Sequence, residues 1–324
     1  MGSLRVALVG GWHVHADDYA RQLAAHPEAE LTAVWDSDTG RGRDIAARWG
    51  CDFVQDLAVV LQDDTVDAVV VADMPARKTE TILRCLLAGK HVLTEKLLAQ
   101  TESEFDDLAR AAARSGVQLV TALPFLARPA VRCLVDVIGR GRLGRVTYAR
   151  VRLSIDGMTA GWLPARFDDP DEAVVGAMGD LGCHPIYVLD LILGEPSSVD
   201  AVHASAAGSR LDDHAVILLH YPDGSIGVAE ASHVGPPGQF TFTIEVSGTH
   251  GALLHGFDGT DDVWLIDTES GRRRLTLPPE GVEPVPAWVR AVLDDEPDEE
   301  NLEVSRRLTR MVETAGRRSR RRPD

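Results

Sequence analysis

The first 123 residues alternate short apolar runs with longer amphipathic segments, and this alternation restricts the fold more than any other feature of the sequence. The apolar runs are rich in β-branched residues, whereas Leu, Ala and Ile recur at helical spacing in the segments between them. The predicted strands are Leu4–Val9, Leu31–Trp35, Ala68–Ala72, His91–Thr94 and Val117–Ala122. The predicted helices are Asp17–Ala25, Arg41–Trp49, Lys78–Ala88 and Glu102–Ser115. This order predicts an α/β fold that begins with a Rossmann domain, a doubly wound parallel sheet with helices on both faces.

The pattern changes after Pro124, where strands begin to follow strands. Between Ser198 and Leu277, short apolar runs are separated by turns rich in Gly, Asp and Pro, so we expect a large, mostly antiparallel open sheet. The other elements predicted here are a helix over Ala130–Ile138, a strand over Arg145–Leu153, and helices over Gly182–Leu193, Pro286–Leu293 and Asn301–Arg317. The sequence therefore predicts two domains, residues 1–123 and 124–324.

Composition excludes several classes of function. The chain has 50 acidic and 33 basic side chains and a net charge of -17, which would repel a nucleic-acid backbone. Its four cysteines form no C-x-x-C pair, so we expect neither a zinc ribbon nor a disulfide framework, and a reducing compartment fits best. There is no leader pattern and no apolar stretch of about 18 residues. We expect a cytoplasmic protein without membrane or nucleic-acid partners.

The turn that follows the first predicted strand is a candidate phosphate site. Free N–H groups at the start of the next helix would point at an anion there. Only the first glycine of the G-x-G-x-x-G pattern is present, as Gly10, because Trp12 and His15 occupy the second and third glycine positions. The residues predicted to contact the cofactor in this turn are Gly10, Gly11, Trp12 and His13.

The end of the second strand indicates which dinucleotide would bind. Asp36 lies where an acid would accept hydrogen bonds from the adenosine ribose and repel a 2′-phosphate, which favours NAD. In the alternative interpretation, Asp36 only caps the helix that begins near Asp38. Arg41 and Arg43 are near enough in sequence to hold a 2′-phosphate, so NADP stays open.

His13 and His15 also suggest a different enzyme class, because an H-x-H pair after a first strand opens the metal site of some barrel hydrolases. Such a barrel needs further strand-helix units, and the alternation stops at residue 123. We therefore predict no metal, and expect the two histidines to line the cofactor or substrate cleft or simply to mark the entry to a helix.

Three motifs resemble those of the Gfo/Idh/MocA family, the NAD(P)-dependent dehydrogenases related to glucose-fructose oxidoreductase and inositol dehydrogenase. Ala88–Lys96 is similar to the family's A-G-K-H-V-x-x-E-K-P, and Gly141–Val146 is similar to G-x-[IL]-G-x-[VI]. Asp180–His184 is similar to the end of G-x-x-x-D-x-G-x-H. The resemblance implies that residues 1–123 bind the dinucleotide and that residues 124–324 bind substrate. It also implies a homo-oligomer, a dimer or tetramer, formed through the open sheet.

The resemblance implies that Lys96, Asp180 and His184 carry the chemistry, and that Pro75 and Glu95 belong to the cofactor site. The residue types suit the oxidation of an alcohol: a histidine can take the hydroxyl proton and a lysine cation can stabilise the alkoxide. We therefore predict His184 as acid/base and Lys96 as electrostatic partner. Asp180 would support His184 if one helix carries both. In the alternative interpretation Asp180 is a helix N-cap, His184 is a half-buried helix residue and Lys96 is a surface charge.

Several positions depart from the family pattern. Leu97 replaces the proline of E-K-P, so we expect a trans Lys96–Leu97 peptide, because a non-proline cis bond costs about 2.5 to 4 kcal/mol. The segment after the strand at Ala68 keeps Pro75 but lacks the usual Asn and His. Tyr187 stands where the family has an aspartate.

These observations together predict an oxidoreductase that transfers hydride between NAD(P) and a hydroxyl or ketone of a sugar, polyol or cyclitol-like substrate. We expect the substrate to lie at the carboxyl edge of the parallel sheet, between the domains. The altered glycine turn leaves an alternative from another class open: a catalytically inactive sensor or regulator that binds a sugar or dinucleotide. A third possibility is an enzyme that recycles a dinucleotide without releasing it.

Overall fold

The computed structural model describes residues 3–268 and 271–318. By its internal contacts the chain divides into two compact units. The first unit comprises the chain up to Leu123 together with residues 282–309. The second unit comprises residues 124–281 and the chain from Arg310 onward. Residues 282–309, predicted to belong to the second domain, therefore make their contacts within the first unit.

The first unit contains a six-stranded parallel sheet, so the predicted doubly wound architecture is confirmed. Its strand order is β3-β2-β1-β4-β5-β6. The elements in chain order are β1 (Leu4–Val9), α1 (Ala16–Ala25), β2 (Ala29–Trp35), α2 (Thr39–Trp49), β3 (Asp52–Val54), α3 (Leu57–Gln62), β4 (Ala68–Val71), α4 (Pro75–Leu87), β5 (His91–Thr94), α5 (Glu102–Ser115) and β6 (Leu119–Thr121).

Apolar side chains on both faces of this sheet form two separate cores. On one face the sheet packs against α1 and α2, and the core there includes Tyr19, Leu23 and Ile45. On the other face the sheet packs against α4 and α5, and the core there includes Ile82 and Phe105. The strand order reverses between β1 and β4, and in open α/β sheets ligands bind beside the carboxyl ends of the strands at such a point.

The second unit is built on an eight-stranded sheet, which confirms the prediction of a large, mostly antiparallel sheet. Its order is β14-β13-β12-β11-β7-β10-β9-β8, and β7 and β10 are the one parallel pair. The elements are α6 (Pro129–Gly139), β7 (Val146–Ser154), α7 (Ala177–Asp180), α8 (Cys183–Leu193), β8 (Ser198–Ala204), β9 (His214–His220), β10 (Ile226–Ser232), β11 (Thr241–Gly248), β12 (Gly251–His255), β13 (Val263–Asp267) and β14 (Gly271–Arg274), with α9 (Pro284–Leu293) and α10 (Glu299–Arg318) after them in the chain.

Helix α8 packs on one face of this sheet, against β7 and β10. On β9, side chains alternate, so that Ala215, Ile217 and Leu219 are buried while Val216 and Leu218 are exposed. The second face of the sheet therefore presents apolar side chains to solvent.

Helix α9 completes the core of the first unit. Val285, Trp288 and Val289 are buried with the residues of α1 in one cluster. The N–H of Val285 donates to Oε1 of Gln22 at 3.2 Å, which joins the start of α9 to α1. None of the helices in the described residues is long and apolar enough to cross a membrane.

Candidate active site

The turn after β1 depends on two glycines. Gly10 has φ +85°, and a Cβ there would lie 2.5 Å from Cα of Asp73, so glycine lets the ends of β1 and β4 approach each other. A Cβ on Gly11 would lie 2.2 Å from Cδ1 of Ile45. Trp12, which replaces the second glycine of the motif, is buried with only 1% of its surface exposed. The turn is therefore compact without the second and third glycines.

Asp36 follows β2 as a fully buried carboxylate with four donors. It accepts the N–H of Gly11 at 2.6 Å and that of Asp38 at 2.7 Å. Arg41 donates to it through Nε at 2.7 Å and Nη2 at 2.6 Å. Asp38, not Asp36, caps α2, because its side chain accepts the N–H groups of Gly40 and Arg41. The interpretation of Asp36 as the helix cap is therefore wrong.

Glu95 lies at the end of β5 and is the centre of what we call the Glu95 cluster, formed by His13, His15, Tyr19, Glu95 and Lys96. Nζ of Lys96 is 3.5 Å and Nε2 of His13 is 3.8 Å from Oε1 of Glu95. Nδ1 of His15 is 3.4 Å from Oε2, which also accepts the hydroxyl of Tyr19. Burial raises the pKa of Glu95, but the charges of His13, Lys96 and His15 outweigh burial and hold this pKa well below its usual range.

Lys96 is buried within this cluster, with 2% of its side chain exposed, so the interpretation of a surface charge is wrong. Its Nζ lies 3.4 Å from Nε2 of His13. Lys78 holds the backbone around it, because Nζ of Lys78 donates to the carbonyls of Glu95 at 3.0 Å and of Lys96 at 3.1 Å.

The Lys96–Leu97 peptide is cis, so the expectation of a trans bond was wrong. That expectation considered only the residue type at position 97. In the structure, Lys78 fixes the carbonyl on one side of this bond, and the side chains of Leu97 and Leu98 are buried.

Asp180 and His184 belong to the second unit. Asp180 is the last residue of α7, and α8 begins only at Cys183, so the single helix that would carry both residues is absent. Oδ2 of Asp180 lies 2.9 Å from Nε2 of His233, a buried residue directly after β10. His233 was not predicted as a site residue, because a lone histidine at a strand end carries no motif.

His184 is buried on the first turn of α8. Its Nδ1 is 2.9 Å from the hydroxyl of Tyr187, and that hydroxyl oxygen also accepts the N–H of Phe125 at 3.0 Å. The ring of Phe125 packs against the imidazole with 4.5 Å between ring centroids. Tyr187, noted in the sequence only as a departure from the family pattern, therefore contacts the predicted acid/base.

The predicted cofactor residues share one edge of the parallel sheet. Gly10 to His13 follow β1, Asp36 follows β2, Pro75 begins α4 after β4, and Glu95 follows β5. The carbonyl of Pro75 accepts the side-chain amide of Gln100 at 3.1 Å. The carboxyl ends of parallel strands thus bring together residues that are up to 85 positions apart in sequence.

Three members of the Glu95 cluster also have the chemistry of metal ligands. His13, His15 and Glu95 offer ring nitrogens and a carboxylate oxygen that all lie within 4.8 Å of one another. Nζ of Lys96 is 3.4 Å from the His13 nitrogen and 3.5 Å from a Glu95 oxygen, so an ammonium group already lies against two of the three. That the reaction uses no metal remains a prediction.

Comparison with known proteins adds to this geometry. Two family models match: one for an oxidoreductase family with an NAD-binding Rossmann fold, over residues 4–123, and one for a GFO/IDH/MocA C-terminal domain, over residues 131–254. The dTDP-3,4-didehydro-2,6-dideoxy-alpha-D-glucose 3-reductase of Actinomadura kijaniata is 26% identical over 286 residues, 87% of this chain and 78% of that protein.

Two further relatives span most of the chain. The scyllo-inositol 2-dehydrogenase (NADP(+)) IolU of Bacillus subtilis (strain 168) is 27% identical over 256 residues, 78% of this chain and 75% of that protein. The crystal structure of GenD2 from gentamicin A biosynthesis, in complex with NAD, has a TM-score of 0.83 and 30% sequence identity, covering 98% of this chain and 94% of that one.

Proposed function

The chain belongs to the Gfo/Idh/MocA family of oxidoreductases, which bind NAD(P) on a Rossmann fold, and we propose that it transfers hydride between the nicotinamide and a hydroxyl or ketone of a sugar, polyol or cyclitol-like substrate. One observation carries this proposal: a buried lysine, Lys96, is held beside the glycine turn at the carboxyl edge of the parallel sheet. A cation in that position can stabilise the oxygen of an alkoxide as hydride leaves its carbon.

The residues of the first unit fit a dinucleotide. Gly10 keeps β1 and β4 in close contact, and Trp12 is buried. The side chain of Trp12 therefore does not cover the backbone of the turn, where a phosphate group would bind before α1. The backbone of Gly10, Gly11, Trp12 and His13 would hold the pyrophosphate, and Asp36 would hold the adenosine ribose. When bound, NAD+ would supply the hydride acceptor for alcohol oxidation, and NADH would supply the hydride donor for ketone reduction.

We propose NAD rather than NADP as the preferred cofactor. The buried Asp36 carboxylate repels a 2′-phosphate. All four of its hydrogen bonds come from the protein itself, so the ribose hydroxyls bind only if Arg41 leaves the carboxylate. Arg41 and Arg43 are the residues that would hold the 2′-phosphate of NADP, so the position of Arg41 affects the binding of both cofactors.

In the proposed chemistry His184 exchanges the hydroxyl proton. The oxygen of Tyr187 accepts the Phe125 N–H and can accept Nδ1–H of His184 as well, which leaves Nε2 to take and return the proton. Asp180, which contacts His233, supports the site electrostatically. Lys96 stabilises the alkoxide.

We propose a cytoplasmic homo-oligomer, a dimer or a tetramer. No disulfide joins the four cysteines, all of which lie in the described residues, and Cys85, Cys133 and Cys183 are buried, which agrees with a reducing compartment. The apolar side chains exposed on the second sheet are Val202, Val216, Leu218 and Ile226. A patch of this kind is typical of a protein-protein interface.

A turnover screen tests the function. NAD+ and NADP+ are offered with a panel of hexoses, deoxysugars, polyols and inositols, and formation of the reduced nucleotide is followed by absorbance. We expect His184→Ala and Lys96→Met each to lower kcat by about 10² to 10⁴-fold, while His26→Gln, at the end of α1, keeps wild-type turnover. Full turnover in His184→Ala would remove its assignment as acid/base.

The alternative function is an inactive family member that binds a sugar or dinucleotide as a sensor. The replacement of two motif glycines by Trp12 and His15 favours it. Binding of a dinucleotide or sugar without turnover on any member of the panel would support this alternative, and turnover would exclude it. Nucleotide retained through purification would instead support the recycling enzyme.

A further inference from the structure

Arg128, the residue that precedes α6, lies among three phenylalanine rings of the second unit. Its guanidinium carbon, Cζ, is 4.1 Å from the ring centroid of Phe125, 5.2 Å from that of Phe242 and 5.5 Å from that of Phe240. Phe125 and Phe242 are buried, whereas 58% of Phe240 is exposed. These rings, which we call the phenylalanine cluster, therefore hold a cation at the boundary between the core and solvent.

No acid pairs with this cation within the part of the chain that the structure describes. There the guanidinium of Arg128 forms no ion pair and donates no hydrogen bond, and none of its nitrogens is among the fully buried atoms that lack a partner. Its donors are therefore accessible to solvent. Phenyl rings attract the cation but offer no oxygen atom to its five N–H donors.

A second stacked arginine shows what Arg128 lacks. Cζ of Arg306 is 4.8 Å from the ring centroid of Phe105, and its Nη1 also donates to Oδ1 of Asp106 at 2.6 Å. Stacking and carboxylate binding thus occur together at Arg306, whereas only stacking is present at Arg128.

The surroundings compensate the charge of Arg128 only in part. Burial lowers the pKa of this guanidinium, and the nearby acidic groups of Tyr187, Asp261 and Glu280 oppose burial without outweighing it. Asp261 and Glu280 are exposed, so solvent screens their attraction for the cation. Arginine keeps its proton at neutral pH. Arg128 is therefore a half-buried, permanent cation whose donors a ligand can reach.

Phe125 connects this cation to the proposed acid/base. Its ring centroid is 4.1 Å from Cζ of Arg128 and 4.5 Å from the centroid of the His184 imidazole. Its N–H donates to the hydroxyl of Tyr187, which lies beside Nδ1 of His184. The guanidinium and the imidazole are thus no farther apart than the combined distances to the Phe125 ring, which is about the length of one substituted sugar ring.

The chemistry of a guanidinium selects the group that Arg128 can bind. Its N–H donors form a planar fork that matches two oxygens of a carboxylate or of a phosphate group. A neutral hydroxyl brings no charge to compensate the cation. Because the phenylalanine cluster already holds the guanidinium, little conformational freedom is lost when an anion binds.

We propose that Arg128 is a specificity-determining residue that binds a carboxylate or phosphate group of the substrate whose hydroxyl or ketone faces His184. The substrate is accordingly a sugar acid or a sugar phosphate, not a neutral sugar. The part of this statement that concerns turnover rests on the proposed function, whereas binding of the anionic group requires no reaction.

Matched sugars test the proposal. Glucose, galactose and mannose are each compared with the corresponding uronate and the corresponding hexose 6-phosphate, which differ from the neutral sugar only in the group on the last carbon. Each is titrated by calorimetry into the full-length protein at constant ionic strength, with NADH present so that a dinucleotide occupies its own site. We expect at least one charged sugar to bind about 10 to 100-fold more tightly than its neutral counterpart. The uronate and phosphate series show which anion is preferred.

Substitution of the arginine should remove this preference. In Arg128→Gln the charged sugar should bind as weakly as the neutral one, while binding of the neutral sugar is kept. Arg128→Lys keeps the charge without the planar fork, so an intermediate preference is expected, and this variant serves if Arg128→Gln does not fold. Arg140→Gln is the matched control, because Arg140 lies at the other end of α6, where it pairs with Asp136, and this variant should keep the full preference.

Equal binding of charged and neutral sugars by the wild type, or no binding of any charged sugar, would overturn the proposal. A preference that persists in Arg128→Gln would overturn it too. A preference lost in Arg128→Gln, without turnover of any of these sugars, would support the anion site and count against the proposed function. Turnover of neutral sugars with the same kcat/KM as charged ones would reject the anion site and keep the proposed function.

Discussion

Three buried carboxylates in the described part of the first unit, Asp36, Asp73 and Glu95, each lie close to donors or positively charged groups. Asp36 accepts four hydrogen bonds, two of them from Arg41. Asp73 accepts the backbone N–H of Met74 at 2.8 Å and the hydroxyl of Thr81 at 2.9 Å. Glu95 lies among His13, His15, Tyr19 and Lys96. Burying an uncompensated carboxylate is costly, so the residues around each of these acids are as necessary as the acid itself.

Glu95 gives stability a defined pH dependence. Its pKa in the folded protein lies well below the reference value of 4.5, so the folded state gains stability from the ionised form. That gain is fully present above about pH 4.5 and is lost as the pH falls toward the folded-state pKa. We predict that the free energy of unfolding, measured by urea denaturation between neutral and acidic pH, falls less steeply in Glu95→Gln than in the wild type. Parallel pH profiles of the two proteins would contradict this.

The conformation of the turn between β1 and α1 depends strongly on the residues that form it. Gly10 and Gly89 both have positive φ, at +85° and +74°, but a Cβ on Gly10 would meet Asp73 at 2.5 Å while a Cβ on Gly89 would meet nothing within 4 Å. Substitution of Gly89 therefore tests backbone strain alone, whereas substitution of Gly10 tests backbone strain together with close packing.

We predict that Gly89→Ala lowers the free energy of unfolding by about 1 kcal/mol, because only the left-handed backbone is penalised. Gly10→Ala should lower it by several times as much and should also weaken dinucleotide binding, because β1 and β4 must separate. Chemical denaturation and a binding titration of both variants measure this. Equal losses of stability in the two variants would show that the approach to Asp73 is unimportant.

Elements with a long, regular pattern were predictable, and short ones were not. The sequence predicted β1, β5 and α5 with the bounds that the structure has, but β3 has three residues and α3 has six, too few for a period to emerge. The helix predicted over Gly182–Leu193 corresponds to α8, whereas α7, with only four residues, was not predicted. The contact of Asp180 with His233 joins residues 53 positions apart, so it depends on tertiary packing and carries no local signal.

In the whole molecule, as far as the structure describes it, one face of the second sheet presents apolar side chains to solvent. Val202, Val216, Leu218 and Ile226 are exposed there among polar side chains. We predict that the wild type elutes as a dimer or tetramer by size exclusion with light scattering, and that Leu218→Lys shifts it toward the monomer. Leu87→Lys, an exposed leucine at the end of α4 in the first unit, is the matched control and should keep the oligomer. A monomeric wild type would contradict the proposed assembly.

Calorimetric titration of the purified, ligand-stripped protein with NADH and with NADPH measures whether the altered glycine turn and Asp36 hold a dinucleotide. If Asp36 holds the adenosine ribose and repels a 2′-phosphate, the protein should bind NADH with a Kd in the range of about 1 µM to 1 mM, and NADPH more weakly. Asp36→Ala should weaken NADH binding and reduce the difference between the two nucleotides. Absence of binding by either nucleotide to the folded wild type would contradict the account.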